Sequence, residues 1–248
     1  GRDLMPRIYL SPSTQEGNFY VTGGTEESYM NRIADEMEPY LTANGIRFTR
    51  NTPDMTAASS IAQSHLGSYD FYLALHSNAA PEGQYGTYRG TDVYYSPKSQ
   101  NGRRAARIIA ANLRRIYPLP DRVRALPTTT LGEVTKTRPP AVLIEFAYHD
   151  NREDADWITE NISRIARNVA FSLTEYFGLP FAEPIPIRTG IVTTRTGPLR
   201  IREKPEGTVL AFAPKGAPLT LLGHWEDWYV VRYGTVIGYV AADFITPE

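Results

Sequence analysis

The chain has 248 residues, with 26 Lys and Arg against 27 Asp and Glu, 42% hydrophobic residues and no cysteine. At ~100–200 residues per domain this is one large or two ordinary domains with ample chain for a core, and the net charge of -1 excludes a general electrostatic grip on nucleic acid. No stretch reaches the ~18–20 apolar residues of a membrane span, and the missing cysteines rule out disulfides, thiolate zinc sites and cysteine nucleophiles together.

Residues 1–6 carry no apolar run of the signal-peptide kind. A short strand is expected at 7–10 and another at 46–49. Between them Met30, Ile33, Ala34, Met37 and Leu41 form an apolar stripe at helical spacing, stopped by Asn44 and Gly45. A helical segment at 56–65, a strand at 71–75 and a strand at 93–95 follow. Ala105, Ile108, Ile109, Leu113 and Ile116 then mark a helix, whose basic cluster, Arg103, Arg104, Arg107, Arg114 and Arg115, reads as a solvated face. A fully apolar strand at 141–144 precedes a last helix striped by Ile158, Ile162, Ile165, Ala166, Val169 and Leu173. Strands alternating with helices define an α/β domain over 1–180, a mostly parallel sheet flanked by helices.

Prolines at 180, 184 and 186 deny helix and ladder hydrogen bonds, so 181–188 reads as a semi-rigid linker. From 189 to 248 the pattern is short alternating strands at 199–202, 219–222, 228–232 and 237–240, punctuated by turn residues. This describes a small all-β barrel domain.

Ligands of open α/β sheets gather at the carboxyl ends of the strands, which directs attention to Ser11-Pro12-Ser13-Thr14-Gln15-Glu16 after the first strand, His76-Ser77-Asn78 after the third, Glu145 after the last and His149 slightly beyond. His76 ends the run Tyr72-Leu73-Ala74-Leu75, delivering an imidazole that reads either as a metal ligand or as a hydrogen-bonded structural histidine. Glu145 emerges from Ala141-Val142-Leu143-Ile144, where apolar walls raise a carboxyl pKa toward acid–base use; a strand-end ion pair is the alternative. Glu26 and Glu27 follow Thr25 in a first helical turn, which the helix dipole and an N-cap explain by themselves. Glu133, in Leu131-Gly132-Glu133-Val134, either faces the cleft to orient substrate or caps a turn, and stays outside the catalytic set. Neither a Gly-x-Ser-x-Gly elbow nor a His-Glu-x-x-His motif is present.

Taken together, Leu75-His76-Ser77-Asn78-Ala79, Glu26 leading into Met30-Asn31-Arg32-Ile33-Ala34, and Pro140 through Tyr148 resemble the zinc-dependent N-acetylmuramoyl-L-alanine amidases of type 3. The resemblance spans 6–178. It implies that Glu26 and His76 bind zinc, that Glu145 is the catalytic glutamate, and that the substrate is peptidoglycan, outside the cell at the wall. One departure stands out: the family carries Asp-Pro-Gly-His-Gly-Gly after its first strand, and that histidine binds zinc. Here the segment is Ser11-Pro12-Ser13-Thr14-Gln15-Glu16, similar to a variant subgroup from Gram-positive, clostridium-like bacteria. Gln15 is taken by position as the third ligand, with Glu16, His149 or a site without metal as the alternatives. Residues 189–247 resemble a bacterial Src-homology-3-like domain, which implies wall binding. A wall-binding protein with an amidase fold and no catalysis is the rival reading.

Overall fold

A computed structural model describes residues 5–248; residues 1–4 of the 1–6 stretch lie outside the described residues. The chain divides into two compact units, one of Arg7–Met37 and Phe48–Tyr176, the other of 38–47 and 177–248 with Met5 and Pro6.

The first unit holds a six-stranded sheet of β1 (Arg7–Pro12), β2 (Arg47–Arg50), β3 (Phe71–Asn78), β4 (Thr91–Tyr95), β5 (Val123–Pro127) and β6 (Ala141–Tyr148), in the order β2-β1-β3-β6-β4-β5. β1 runs parallel to β3, β3 to β6 and β4 to β5, while β4 is antiparallel to β6. The sheet is therefore mostly parallel with one reversed joint. β3 and β6 are buried along almost their whole length, as strands covered on both faces must be. Apolar residues therefore run nearly unbroken through β3 and β6, and a polar residue among them stands out.

Six helices accompany the sheet: α1 (Glu26–Ala43), α2 (Ala57–Ser64), α3 (Gln100–Leu113), α4 (Gly132–Thr135), α5 (Arg152–Glu160) and α6 (Ile162–Phe177). The stripe of α1, Met30, Ile33, Ala34, Met37 and Leu41, is wholly buried, each large apolar side chain contributing about 1.5–3 kcal/mol by leaving water. Ser28 N donates to Thr25 Oγ1 at 3.2 Å, an N-cap contact that fixes where α1, and so Glu26, begins. Thr56 caps α2 in a capping box with Ser59. The expected last helix is two helices, because Asn161 leaves the helical conformation at φ -126° and ends α5.

The second unit contains an all-antiparallel sheet of β7 (Glu183–Val192), β8 (Leu199–Arg202), β9 (Val209–Ala213), β10 (Pro218–Trp225), β11 (Trp228–Tyr233), β12 (Val236–Ala241) and β13 (Ile245–Pro247), in the order β13-β7-β10-β11-β12-β8-β9. Its core gathers Val192, Leu199, Ile201, Leu219, Leu221, Val231, Val240 and Ile245. The structure corrects the linker expected at 181–188, since 183–188 form the first half of β7, paired with β10 from Glu183↔His224 to Arg188↔Leu221. β13 reaches only Gly190, Ile191 and Val192, so Pro184 and Pro186 occupy a stretch bonded on one side, where a missing N–H is tolerated.

Candidate active site

Cross-strand register assembles the site. His76 on β3 lies opposite Glu145 on β6, Glu145 opposite Asp92 on β4, and Asp92 opposite Arg124 on β5. Residues directly opposite across a ladder project from the same face. Four chemistry-bearing side chains thus form one row across the sheet.

Two carboxylates from helices close on His76. Its Nδ1 is 3.1 Å from Glu26 Oε1, and its Nε2 is 2.7 Å from Glu133 Oε2. All three side chains are buried. Burial alone would lower the pKa of His76, but hydrogen bonds to Glu133 and Glu26, with the charge of Glu145 nearby, hold it well above the ordinary value. Burial correspondingly raises Glu26 and Glu133, and the contacts with His76 outweigh it, leaving both below the usual carboxylate range. The cluster is a histidine ring held between two carboxylates.

The carboxylates have fixed surroundings of their own. Glu133 Oε1 accepts from Ser11 Oγ at 2.5 Å and Tyr72 OH at 2.7 Å. Glu26 accepts from Ser77 N at 3.1 Å and Asn18 Nδ2 at 2.7 Å. Glu145 differs: its Oε2 is buried without a hydrogen-bond partner among the described residues. Burial pushes its carboxyl up to about 8, with Glu26, Asp92 and Glu133 adding to the rise and His76 opposing it.

Gln15 is exposed, and its Oε1 accepts from Asn18 Nδ2 at 2.7 Å. It lines a cleft of about 300 Å³ together with His76 and Glu133, and Asn18 Nδ2, which it accepts from, also donates to Glu26 Oε2 at 2.7 Å. Glu16 is likewise exposed. His149 is buried, stacked on Tyr20 with ring centroids 5.3 Å apart, and its Nδ1 lies 2.9 Å from Ser77 Oγ; burial lowers its pKa. Glu133, which the sequence allows either to orient substrate or to cap a turn, instead holds the ring of a histidine 57 residues earlier in the chain. Asp92 gave no signal beyond its place in a strand-like run.

Chemically, Glu26 Oε1 and His76 Nδ1 offer zinc its ordinary oxygen and nitrogen donors. The grip of Glu133 on Nε2 is the outer carboxylate contact that usually orients a metal-binding histidine. The residues fit a metal at those two points, where it would replace the Nδ1 proton. Among the described residues no group of three or more His, Cys, Asp or Glu is arranged to hold a metal ion.

The fold is an α/β domain with a row of carboxylates and a histidine across its central strands. Residues 12–175 match the N-acetylmuramoyl-L-alanine amidase family, and the chain belongs to it; residues 197–246 match the bacterial SH3 domain. No protein of curated function matches the chain. Similar solved structures include an N-acetylmuramoyl-L-alanine amidase of Clostridium difficile 630, at 16% identity and TM-score 0.63 over 70% of this chain and 97% of that one. The amidase AmiC2 of Nostoc punctiforme aligns at 16% identity and TM-score 0.60 over the same shares. The catalytic domain of the amidase CwlV from Bacillus (Paenibacillus) polymyxa aligns at 18% identity and TM-score 0.60, covering 70% and 99%. At such identities these three establish the fold.

Proposed function

We propose that this chain hydrolyses the amide between the lactyl group of N-acetylmuramic acid and the L-alanine of the peptidoglycan stem peptide, at the cell wall. The observation that carries the reading is the row of His76 and Glu145 in direct register, with Glu26 and Glu133 fixing the imidazole from either side. Zinc, implied by the family resemblance and held at Glu26 and His76, would polarise the scissile carbonyl and lower the pKa of water.

The residues themselves do the rest. Glu145, in the ionised form that forms as pH rises through its raised value of about 8, takes the proton of the attacking water and passes it to the departing amine nitrogen. The carbon–nitrogen bond breaks, water's oxygen joins the lactyl carbonyl, and an amine and a carboxylic acid leave. Ser11 and Tyr72 hold Glu133, and through it the ring of His76. The bacterial SH3 unit keeps the enzyme on the wall. Gln15 stays proposed as a further ligand only through movement that releases it from Asn18.

The test is release of new amino termini from purified peptidoglycan by chelator-stripped protein, with and without added zinc. Zinc restores activity, and Glu145→Gln lowers turnover by about 10²–10⁴-fold, the usual worth of a positioned acid–base group, at unchanged zinc content. Equal activity in Glu145→Gln overturns the assignment. The second reading, a wall-binding protein without catalysis, is favoured by the incomplete donor set; persistent inactivity on several peptidoglycan types would establish it.

A further inference from the structure

The reversed joint in the six-stranded sheet gathers parts that a purely parallel sheet would separate. Because β4 runs against β6 and β5 runs with β4, the starts of β4 and β5 lie on the rim where β3 and β6 finish. A hollow of about 270 Å³ opens there, its lining including Tyr88 and Arg89 ahead of β4, Arg122 ahead of β5, Tyr148 at the end of β6, and the pair Asp92 and Arg124. It lies on the β5 side of the His76–Glu145 pair, and the cleft that Gln15 lines lies on the β1 side. A scissile amide at that pair has a recess on either hand.

The two recesses differ in charge. Apart from His76 and Glu133, which bond to each other, the Gln15 cleft is lined by hydroxyls, amides and apolar groups. The other recess sets Arg89, Arg122 and Arg124 against Asp92 and Asp121. Arg89 is paired outside it with Glu153 and Asp154. Arg124 is paired on one edge only. The buried Asp92 takes its Nε at 3.1 Å and its Nη2 at 3.0 Å with a single oxygen, Oδ1, and so orients a side chain that is 58% exposed. The planar guanidinium has a second edge, Nη1 with Nη2, that takes a carboxylate in two parallel hydrogen bonds. No ion pair occupies that edge among the described residues.

Asp92 stands one strand from Glu145 and Arg124 two, so a guanidinium leaning on Asp92 lies about 5–10 Å along the row from Glu145, at ~4.8 Å per strand. Two residues of extended peptide span about 7 Å. We propose that Arg124, set by Asp92, is a specificity-determining residue that binds a carboxylate on the second residue of the departing peptide, so that the peptide lies over β4 and β5 and the sugar over the Gln15 cleft. Tyr88 and Tyr148, with ring centroids 6.0 Å apart, wall the aliphatic part of that residue. This direction of the substrate rests on the amide hydrolysis proposed above, and it requires the substrate to carry a charge that the bond broken does not itself demand.

Calorimetric titration of the full chain with the dipeptide L-alanyl-D-glutamate, against the same dipeptide with both glutamate carboxyls as amides, tests this without turnover. The diacid binds, and the diamide binds at least tenfold more weakly, the worth of a charge-assisted hydrogen bond. Arg124→Gln loses at least tenfold in affinity for the diacid and nothing for the diamide. Arg124→Lys, which keeps a cation beside Asp92 and removes the fork, also weakens the diacid, at an unchanged melting temperature. In turnover of N-acetylmuramoyl-L-alanyl-D-glutamate against its diamide, the preference for the diacid appears in KM and vanishes in Arg124→Gln. No binding of the diacid, equal affinity for diacid and diamide, or an Arg124→Gln loss equal for both overturns the proposal, the last confining Arg124 to holding Asp92; hydrolysis of peptidoglycan in the same preparation leaves the amidase reading standing. Dipeptide binding that needs Arg124, in a chain that hydrolyses no peptidoglycan, overturns the amidase reading and keeps the carboxylate site.

Discussion

At His76 two carboxylates compete for one imidazole, and their inequality assigns their roles. Glu133 makes the shorter contact, 2.7 Å against 3.1 Å, and its other oxygen is fixed by Ser11 and Tyr72. It is the positioning group, and Glu26, with the longer contact to the ring, is the one whose bond to His76 a metal would replace. Outer contacts of this kind are worth about 10–100-fold in metal affinity or activity when removed. Glu133→Gln, which keeps the shape and removes the charge, should therefore lower turnover on peptidoglycan by roughly 10–100-fold and weaken zinc binding measured by competition with a chromogenic chelator. An unchanged rate and unchanged zinc affinity would confine Glu133 to packing. The sequence displayed His76 and Glu145 because each breaks an apolar strand. It could not display Glu133 as their partner, since α4 is a single turn whose contact with β3 is made by tertiary folding, without any spacing rule. Gln15 shows the converse: a position after the first strand guarantees the right rim of the sheet and says nothing of where the side chain turns.

Among the elements, the junction of β6 and α5 carries the most polar strain, and Asp154 resolves it. Its buried carboxylate accepts from Arg89 Nε at 2.9 Å, Tyr117 OH at 2.5 Å, Tyr148 N at 3.0 Å and Gly90 N at 3.1 Å, while Asn151 caps the helix through Asp154 N. One side chain thereby ties the end of β6, just past Glu145, to the approach to β4, just before Asp92. Asp154→Ala strips four donors and leaves the Arg89 guanidinium without its buried partner, a loss of about 3–5 kcal/mol. At ~2–4 °C per kcal/mol for a chain of this size the melting temperature of the first unit should fall by roughly 6–20 °C, read by calorimetry; a shift under 2 °C would show the network to be redundant. Periodicity revealed the strands and long helices because burial enforces it. β5, β7, β9 and β13 escaped, β5 because its burial follows no two-residue alternation and β7 because prolines that usually mark a linker sit on a stretch of strand paired on one side only.

Over the whole molecule, the proline-rich passage after α6 is better understood through Asn44 than through its own composition. Asn44, the residue read as a helix stop, is fully buried, and its amide clasps one residue of that passage: Nδ2 donates to Ala182 O at 2.9 Å and Oδ1 accepts from Ala182 N at 2.7 Å. Both residues belong to the C-terminal unit, so the segment 38–47 contributes to a fold built mostly from 177–248. A paired amide of this kind satisfies a backbone donor and acceptor that water cannot reach, and orphaning such groups costs about 1–3 kcal/mol each. Gly223 gives the same segment a second constraint, because a Cβ there would meet Ala43 O at 1.9 Å. Asn44→Ala should therefore lower the calorimetric transition of the C-terminal unit, and Asn44→Asp, which sets a buried carboxylate oxygen against the carbonyls of Tyr40 and Ala182, should lower it at least as far. If Asn44→Ala left that transition in place, Ala182 would be held by the strand ladder of β7 rather than by the clasp, and 38–47 would be an appendage of the unit instead of part of its framework.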